Sequence, residues 1–259
     1  MDLGIQDRSA LVCGGSSGLG KAIATQLAAE GVSVTIVART ESSLLTAAEE
    51  IGVSTGHTIK TVTCDLSDGA QRQSLAQQLI HTDILVNNSG GPPVGNYLDF
   101  TTEQWLGALQ SNMLSAIELM NAALPGMCER RFGRIINITS HMVKAPLAIL
   151  SLSNGARAGL TGYVGGVGRD VAQHNVTINN LLPGQFATPR LKSNHERIAK
   201  SQDLSPVEFS ENSKRDIPAG RFGEPIEFGA YAAFLCSDYA GFVKGQNLIL
   251  DGGQYPGLF

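Results

Sequence analysis

What this chain lacks narrows its function before any motif is read. It carries 19 Lys and Arg against 23 Asp and Glu over 259 residues, and the basic residues never gather into a run. Recognition of a phosphate backbone or an anionic membrane surface needs a basic patch, so nucleic acid and membranes are not expected partners. Long apolar runs are missing too. No segment approaches the roughly 20 residues of a membrane-spanning helix, and the opening MDLGIQDRSALV has neither the basic start nor the apolar stretch of a secretory leader. These absences predict a cytoplasmic protein. Cysteine is sparse: Cys13, Cys64, Cys128 and Cys236 form no C-x-x-C pair and have no His at ligand spacing. Neither a disulfide framework nor a metal site follows, and free thiols, mostly buried, are the plain reading. The five His are equally dispersed, so no metal is assigned.

Glycine, by contrast, is abundant. The 30 glycines cluster after short apolar runs, as turns between strands and helices require. The runs are SALVCGG, VSVTIVA, TIKTVTC, DILVNN, RIINITS, VTINNLL and NLILDGG, with helix-like stretches between them. Strands alternating with helices predict an α/β fold, a doubly wound seven-stranded parallel sheet with helices on both faces. In GLGKAIATQLAAEG, Leu19, Ile23 and Leu27 recur at helical spacing before Gly31, a suitable helix terminator, which makes the first unit strand, helix, strand. No repeat, low-complexity tract or linker divides the chain, so residues 1–259 read as one domain. The one long connection, Gln185 to about Asp216, reads as a loop that serves as a lid over the substrate.

CGGSSGLG follows the first strand and opens the first helix, setting Gly14, Gly18 and Gly20 in the pattern G-x-x-x-G-x-G. Glycines there let the backbone approach a pyrophosphate, which meets the free N–H groups and positive end of the helix, so Ser16, Ser17 and Leu19 are expected contacts as well. The same letters fit G-x-S-x-G, with Ser16 as a hydrolase nucleophile on a strand-to-helix elbow. That reading leaves Gly20 without a role and puts the nucleophile far ahead of any Asp and His partners.

With CDL at Cys64–Leu66, NNSG at Asn87–Gly90, Asn112 in QSNMLSAIELMN, Ser140 in IINITS, and LLPGQFATP at Leu181–Pro189, the chain resembles the short-chain dehydrogenase/reductases nearly end to end. Within that family it is most similar to the 3-oxoacyl-carrier-protein reductase branch. The resemblance implies a dinucleotide-binding Rossmann fold. It adds Asp65 and Leu66, Asn88 and Gly90, and Pro183, Gly184 and Thr188 as cofactor contacts. NAD-preferring relatives tend to have an acidic residue where IVART places Ala38 and Arg39. A carboxylate there binds the ribose 2′-OH, whereas Arg39 can pair with a 2′-phosphate, so NADP(H) is the expected cofactor.

The family's chemistry rests on a Tyr that protonates the forming alkoxide and a Lys four residues later that lowers its pKa and binds ribose, with a Ser and an Asn in support. Here those places fall at Ser153 and Arg157, beside Ser140 and Asn112. No Tyr in the chain has Lys four positions on; Tyr239 has Lys244 one place too far. Serine is a poor general acid, and Arg157 can hold ribose hydroxyls but not relay protons. His141, suited to proton transfer near neutrality, is either a substitute donor or a loop imidazole turned away. The resemblance thus implies an NADP(H)-dependent oxidoreductase of carbonyl or alcohol substrates, with an atypical site of Asn112, Ser140, Ser153 and Arg157. SGGPPVG and HMVKAPL would border a weakly polar substrate. Two other readings stay open: a nucleotide-binding sensor or scaffold without turnover, and a non-redox enzyme on the same fold. A homotetramer or homodimer is expected, paired through the helices holding Asn112 and Arg157, with LILDGGQYPGLF between subunits.

Overall fold

The β-branched runs become strands because each is too short and too apolar to stand as a surface helix, and glycine turns release the chain after them. The computed structural model describes residues 1–258. In chain order the elements are β1 (Ser9–Cys13), α1 (Gly18–Ala29), β2 (Ser33–Ala38), α2 (Glu41–Thr55), β3 (Lys60–Thr63), α3 (Gly69–Ala76), β4 (Ile84–Asn87), α4 (Thr102–Leu109), α5 (Ser115–Glu129), β5 (Gly133–Ile138), α6 (Ser151–Asp170), β6 (Val176–Pro183), α7 (Pro189–Ser201), α8 (Pro206–Arg215), α9 (Pro225–Cys236) and β7 (Asn247–Leu250). The strands lie in the order β3-β2-β1-β4-β5-β6-β7, every pair parallel. The expected seven-stranded, doubly wound sheet is therefore what forms. The chain runs outward from β1 to β3 and then returns to lay β4 against β1, which opens a crevice at the carboxyl ends of β1 and β4.

Side chains alternate across the sheet and feed two cores. Val12, Ile36, Val86 and Ile136 pack with Ile23 and Leu27 of α1, Leu44 of α2 and Phe228 of α9. Their strand neighbours Leu11, Val37, Leu85 and Ile135 pack on the other face with Leu75 of α3, Met120 of α5 and Leu160 of α6. Burial on both faces explains why the strands read as continuous apolar runs rather than alternating ones. No helix among the described residues is long and apolar enough to cross a membrane.

One polar seam crosses this apolar sheet. Asn87, Asn137, Asn180 and Asn247 stand in register on β4, β5, β6 and β7. Each amide nitrogen donates to the next amide oxygen, at 2.8, 3.0 and 2.8 Å. The ladder pairs amides that would each be costly to bury alone, leaving Asn87 Oδ1 at its end without a partner, and it fixes strand register near the carboxyl edge.

The Gln185–Asp216 connection corrects the sequence reading. It is two helices rather than a loop, α7 capped by Thr188 Oγ1, which accepts from Leu191 N at 3.3 Å, and α8 capped by Ser205 Oγ, which accepts from Glu208 N at 3.1 Å. In both, Pro follows the capping residue, the arrangement that starts a helix with its first N–H already dispensed with. His195 of α7 stands edge-on to Phe209 and Phe222, holding the pair together.

Candidate active site

The glycine turn is built for close approach. Gly14 and Gly18 have φ of 62° and 55°, left-handed values that a side chain makes costly. A Cβ on Gly20 would lie 2.3 Å from the Gly14 carbonyl oxygen, so Gly20 lets α1 seat against the turn. Ser17 precedes α1 without capping it, and the first turn holds no acidic residue. The first N–H groups of α1 thus face outward with the helix's positive end, a ready seat for an anion.

That seat forms one end of a groove of about 650 Å³ along the carboxyl edge of the sheet. Gly14, Ser16, Ser17, Gly18 and Leu19 form its floor, and Thr188 closes it from the start of α7. Arg39, Asp65 and Leu66 line the far part, Asn88 and Gly90 the part after β4. Asp65 Oδ1 accepts from the Ser67 N–H at 2.9 Å and its hydroxyl at 2.7 Å. These bonds, with Arg39 nearby, hold the carboxyl below its ordinary range. The sequence-predicted cofactor residues are brought together here, with four exceptions. Gly20 lies under the turn rather than in the groove, and Arg157 lines the smaller cavity described below. Pro183 and Gly184 do not line the groove either; Gly184 is glycine because a Cβ would stand 2.7 Å from that of Asp251.

Behind the groove, and sharing Leu66, Asn88, Ser89 and Ser111 with it, is a cavity of about 10 Å³ lined by Asn112 and Arg157. Its volume suits a single water molecule. Asn112 lies in a π-helical turn, Gln110–Leu114, where the helical run from α4 to α5 is locally unwound. Its Oδ1 accepts from Ser89 Oγ at 3.3 Å and its Nδ2 donates to Ser111 Oγ at 2.7 Å. Arg157, on α6, is 7% exposed. Its Nη1 donates to the Ile138 carbonyl at 2.8 Å and its Nε to Ser153 Oγ at 3.2 Å. Burial, with Arg190 close by, pulls the guanidinium down to about 10 from an ordinary 12.5.

Ser140 Oγ accepts from Met142 N at 3.2 Å, capping the turn after β5. Neither it nor Ser153 lines the groove or the cavity; both are partly exposed. His141 is buried, and its Nδ1 lies 2.9 Å from the Pro183 carbonyl, which ties the turn after β5 to the end of β6. Sequence reasoning missed Arg190, Gly91 and Ser111, which also line the groove. Recognising Thr188-Pro189 as a helix start would have placed Arg190 in the first turn beside the predicted Thr188.

A family model described as enoyl-(acyl carrier protein) reductase matches residues 14–254. A 3-oxoacyl-[acyl-carrier-protein] reductase of Vibrio cholerae is 32% identical over 253 residues, covering 98% of this chain and 99% of that protein. The crystal structure of YwfH, an NADPH dependent reductase of bacilysin biosynthesis, superposes with a TM-score of 0.92 at 29% identity, over 98% of this chain and all of that one. The L-sorbose reductase of Gluconobacter frateurii, complexed with NADPH and L-sorbose, gives 0.93 at 27% identity over the full length of both.

Proposed function

Because this chain belongs to the short-chain dehydrogenase/reductase family, we propose that it is an NADP(H)-dependent oxidoreductase that interconverts a small carbonyl compound and its alcohol. The observation that carries the cofactor part is the fit of the glycine cradle. The left-handed turn at Gly14 and Gly18 opens the groove floor to a pyrophosphate, the uncapped start of α1 offers it N–H donors, and Arg39 stands in the groove to pair with a 2′-phosphate. NADPH-dependent YwfH and the NADPH-bound sorbose reductase support the same preference. Arg157 would hold the ribose next to the nicotinamide, and the Asp65 carboxylate the adenosine end.

When bound, the reduced cofactor supplies a hydride to the carbonyl carbon. The chain's own task is then to meet the oxygen, which gains a proton as the carbon gains the hydride. Arg157 Nε donates into Ser153 Oγ, so the hydroxyl proton of Ser153 points away from Arg157 and can be offered to that oxygen. Ser140 Oγ, which accepts from Met142 N, has its own proton free in the same way. In this reading two hydroxyls and a charged guanidinium behind one of them stabilise the developing negative charge, in place of a phenol that transfers a proton outright. The proton that the oxygen gains would come from solvent, through the small cavity beside Asn112 and then by way of the hydrogen-bonded serine hydroxyl.

In this proposal the apolar residues of SGGPPVG and HMVKAPL border the substrate and favour an apolar body. Cytosolic homo-oligomers are part of the proposal, paired through α5 and α6 with the C-terminal segment between subunits; Phe259 of that segment lies outside the described residues. The test is to saturate purified protein with NADPH and screen a carbonyl panel by the loss of nicotinamide absorbance. Turnover of any member supports the oxidoreductase; NADPH binding with none turned over moves the nucleotide-binding sensor to first place.

A further inference from the structure

Two buried or groove-facing arginines converge without a counter-charge. Arg157 Nη2 and Arg190 Nη2 approach the same point, 4.0 and 2.8 Å from where a Cβ of Gly91 would stand. Arg190 reaches across the groove from the first turn of α7, where its Nη2 donates to the Gly91 carbonyl at 3.4 Å. None of the five ion pairs among the described residues involves either arginine. Among the described residues, Asp65 is the only carboxylate lining the groove or the cavity, and it is held by Ser67 beside Arg39.

The contrast with Arg134 is instructive. That arginine is buried at 1% exposure and forms no ion pair among the described residues, yet the Asp238 charge favours it, three carbonyl oxygens take up its donors at 2.9 to 3.1 Å and Phe132 stacks on it. Arg134 is satisfied by the fold. Arg157 has one carbonyl and one neutral hydroxyl, and its remaining nitrogen is turned towards a second cation. Each guanidinium titrates below its ordinary value, burial being the main cause for both and the Arg190 charge the second cause for Arg157. Two cations kept close and partly out of water are a cost that an anion between them would offset.

We propose that Arg190, with Arg157 behind it, binds an anionic group of the substrate, so that the substrate class is an oxo acid whose carboxylate lies beside the carbonyl to be reduced. The inference rests on the reductase reading above and narrows it. A planar carboxylate suits the forked guanidinium of Arg190. The cofactor's pyrophosphate is the other anion within reach, but its seat is the start of α1, where Gly18 faces Thr188; Arg190 is aimed instead at Gly91, which Arg157 Nη2 also approaches.

The experiment compares medium-chain 2-oxo and 3-oxo acids with their methyl esters on the NADPH-loaded protein, by turnover and by calorimetric binding. It is repeated with Arg190→Gln and with Gly91→Ala, whose methyl would displace the Arg190 guanidinium. NADPH affinity is measured separately by fluorescence for each protein. Acids are expected to exceed esters in binding or kcat/KM by about tenfold or more, the worth of a charge-assisted contact, and both variants should erase that ratio, which is compared at saturating NADPH for each protein. Equal acids and esters in the unmutated protein overturn the proposal. So does a variant that weakens NADPH tenfold and keeps the acid-to-ester ratio, since Arg190 would then serve the pyrophosphate. If no compound is turned over, the reductase reading fails on its own, and selective binding of acids over esters still decides the anion site.

Discussion

Restoring the family's donor pair is the sharpest perturbation of the proposed chemistry. In the double variant Ser153→Tyr with Arg157→Lys, a phenol stands where the 3.2 Å contact between Arg157 Nε and Ser153 Oγ now lies. Burial lowers Arg157 to about 10. Burial would lower a Lys at that position in the same direction, and its charged form lowers the phenol's pKa. General acid catalysis contributes about 10² to 10⁴-fold, equivalent to roughly 3 to 5 kcal/mol of barrier. Against this stands overpacking by the ring, at about 1 to 3 kcal/mol of stability, which a domain of ordinary stability survives. Ketone reduction should therefore rise by about tenfold or more in kcat, less in Ser153→Tyr alone because guanidinium does not mimic a compact ammonium. The assay is NADPH oxidation with simple ketones, with circular dichroism and NADPH affinity followed in the same samples. A double variant that folds and binds NADPH but gains nothing would show that Ser153 and Arg157 do not occupy the donor positions.

Other consequences follow from the groove and its supports. Arg39→Glu should invert the preference for NADP(H) over NAD(H), losing about 1.5 to 3 kcal/mol of charged hydrogen bonding to the 2′-phosphate; equal affinities in the unmutated protein, measured by fluorescence titration, would refute that role. Gly18→Ala should cost only its left-handed strain, roughly 1 to 2 kcal/mol, because Thr188 Cγ2 stands 3.4 Å from the added methyl. Gly20→Ala drives a methyl to 2.3 Å from backbone, so its melting temperature should fall further than that of Gly18→Ala; the reverse order would refute the packing argument. The Arg221 contact and the Glu224 N–H hold the Glu227 carboxyl at about 2, below an ordinary 4.5. Because the folded value is the lower one, this stabilisation is present above pH 4.5 and lost as pH falls towards 2. Glu227→Gln should flatten that part of the acid dependence, read from urea midpoints above and below the window.

Much of this fold was legible because parallel strands buried on both faces announce themselves as short apolar runs, and the glycine turn between β1 and α1 fixes its own partners. That the predicted residues from Gly14 to Thr188 would meet in one groove was legible for the same reason: most occupy strand ends, which the sheet brings to one edge. Pro183 and Gly184 fall outside that groove, and Gly184 packs against Asp251, a role its sequence position did not announce. The asparagine ladder was missed since each Asn looks, in sequence, like an isolated polar residue at a strand end; only register joins Asn87 to Asn247. Arg190 escaped because the segment around it was read as loop, although Thr188-Pro189 and Ser205-Pro206 both carry a helix-start pattern. The side-chain arrangement of Ser153 and Arg157 follows from the α6 register, a four-residue spacing that puts them on one helix face.

The most direct measurement of the central claim is the fate of a label. Purified protein is incubated with NADPH carrying deuterium at the reactive nicotinamide carbon and with each of a set of carbonyl compounds, oxo acids included, and the products are analysed by mass spectrometry. Single deuterium incorporation at the carbinol carbon, dependent on protein and lost with Gly20→Ala, is the predicted result. Protein saturated with NADPH that transfers no deuterium to any carbonyl, while the labelled cofactor is recovered unchanged, would contradict it.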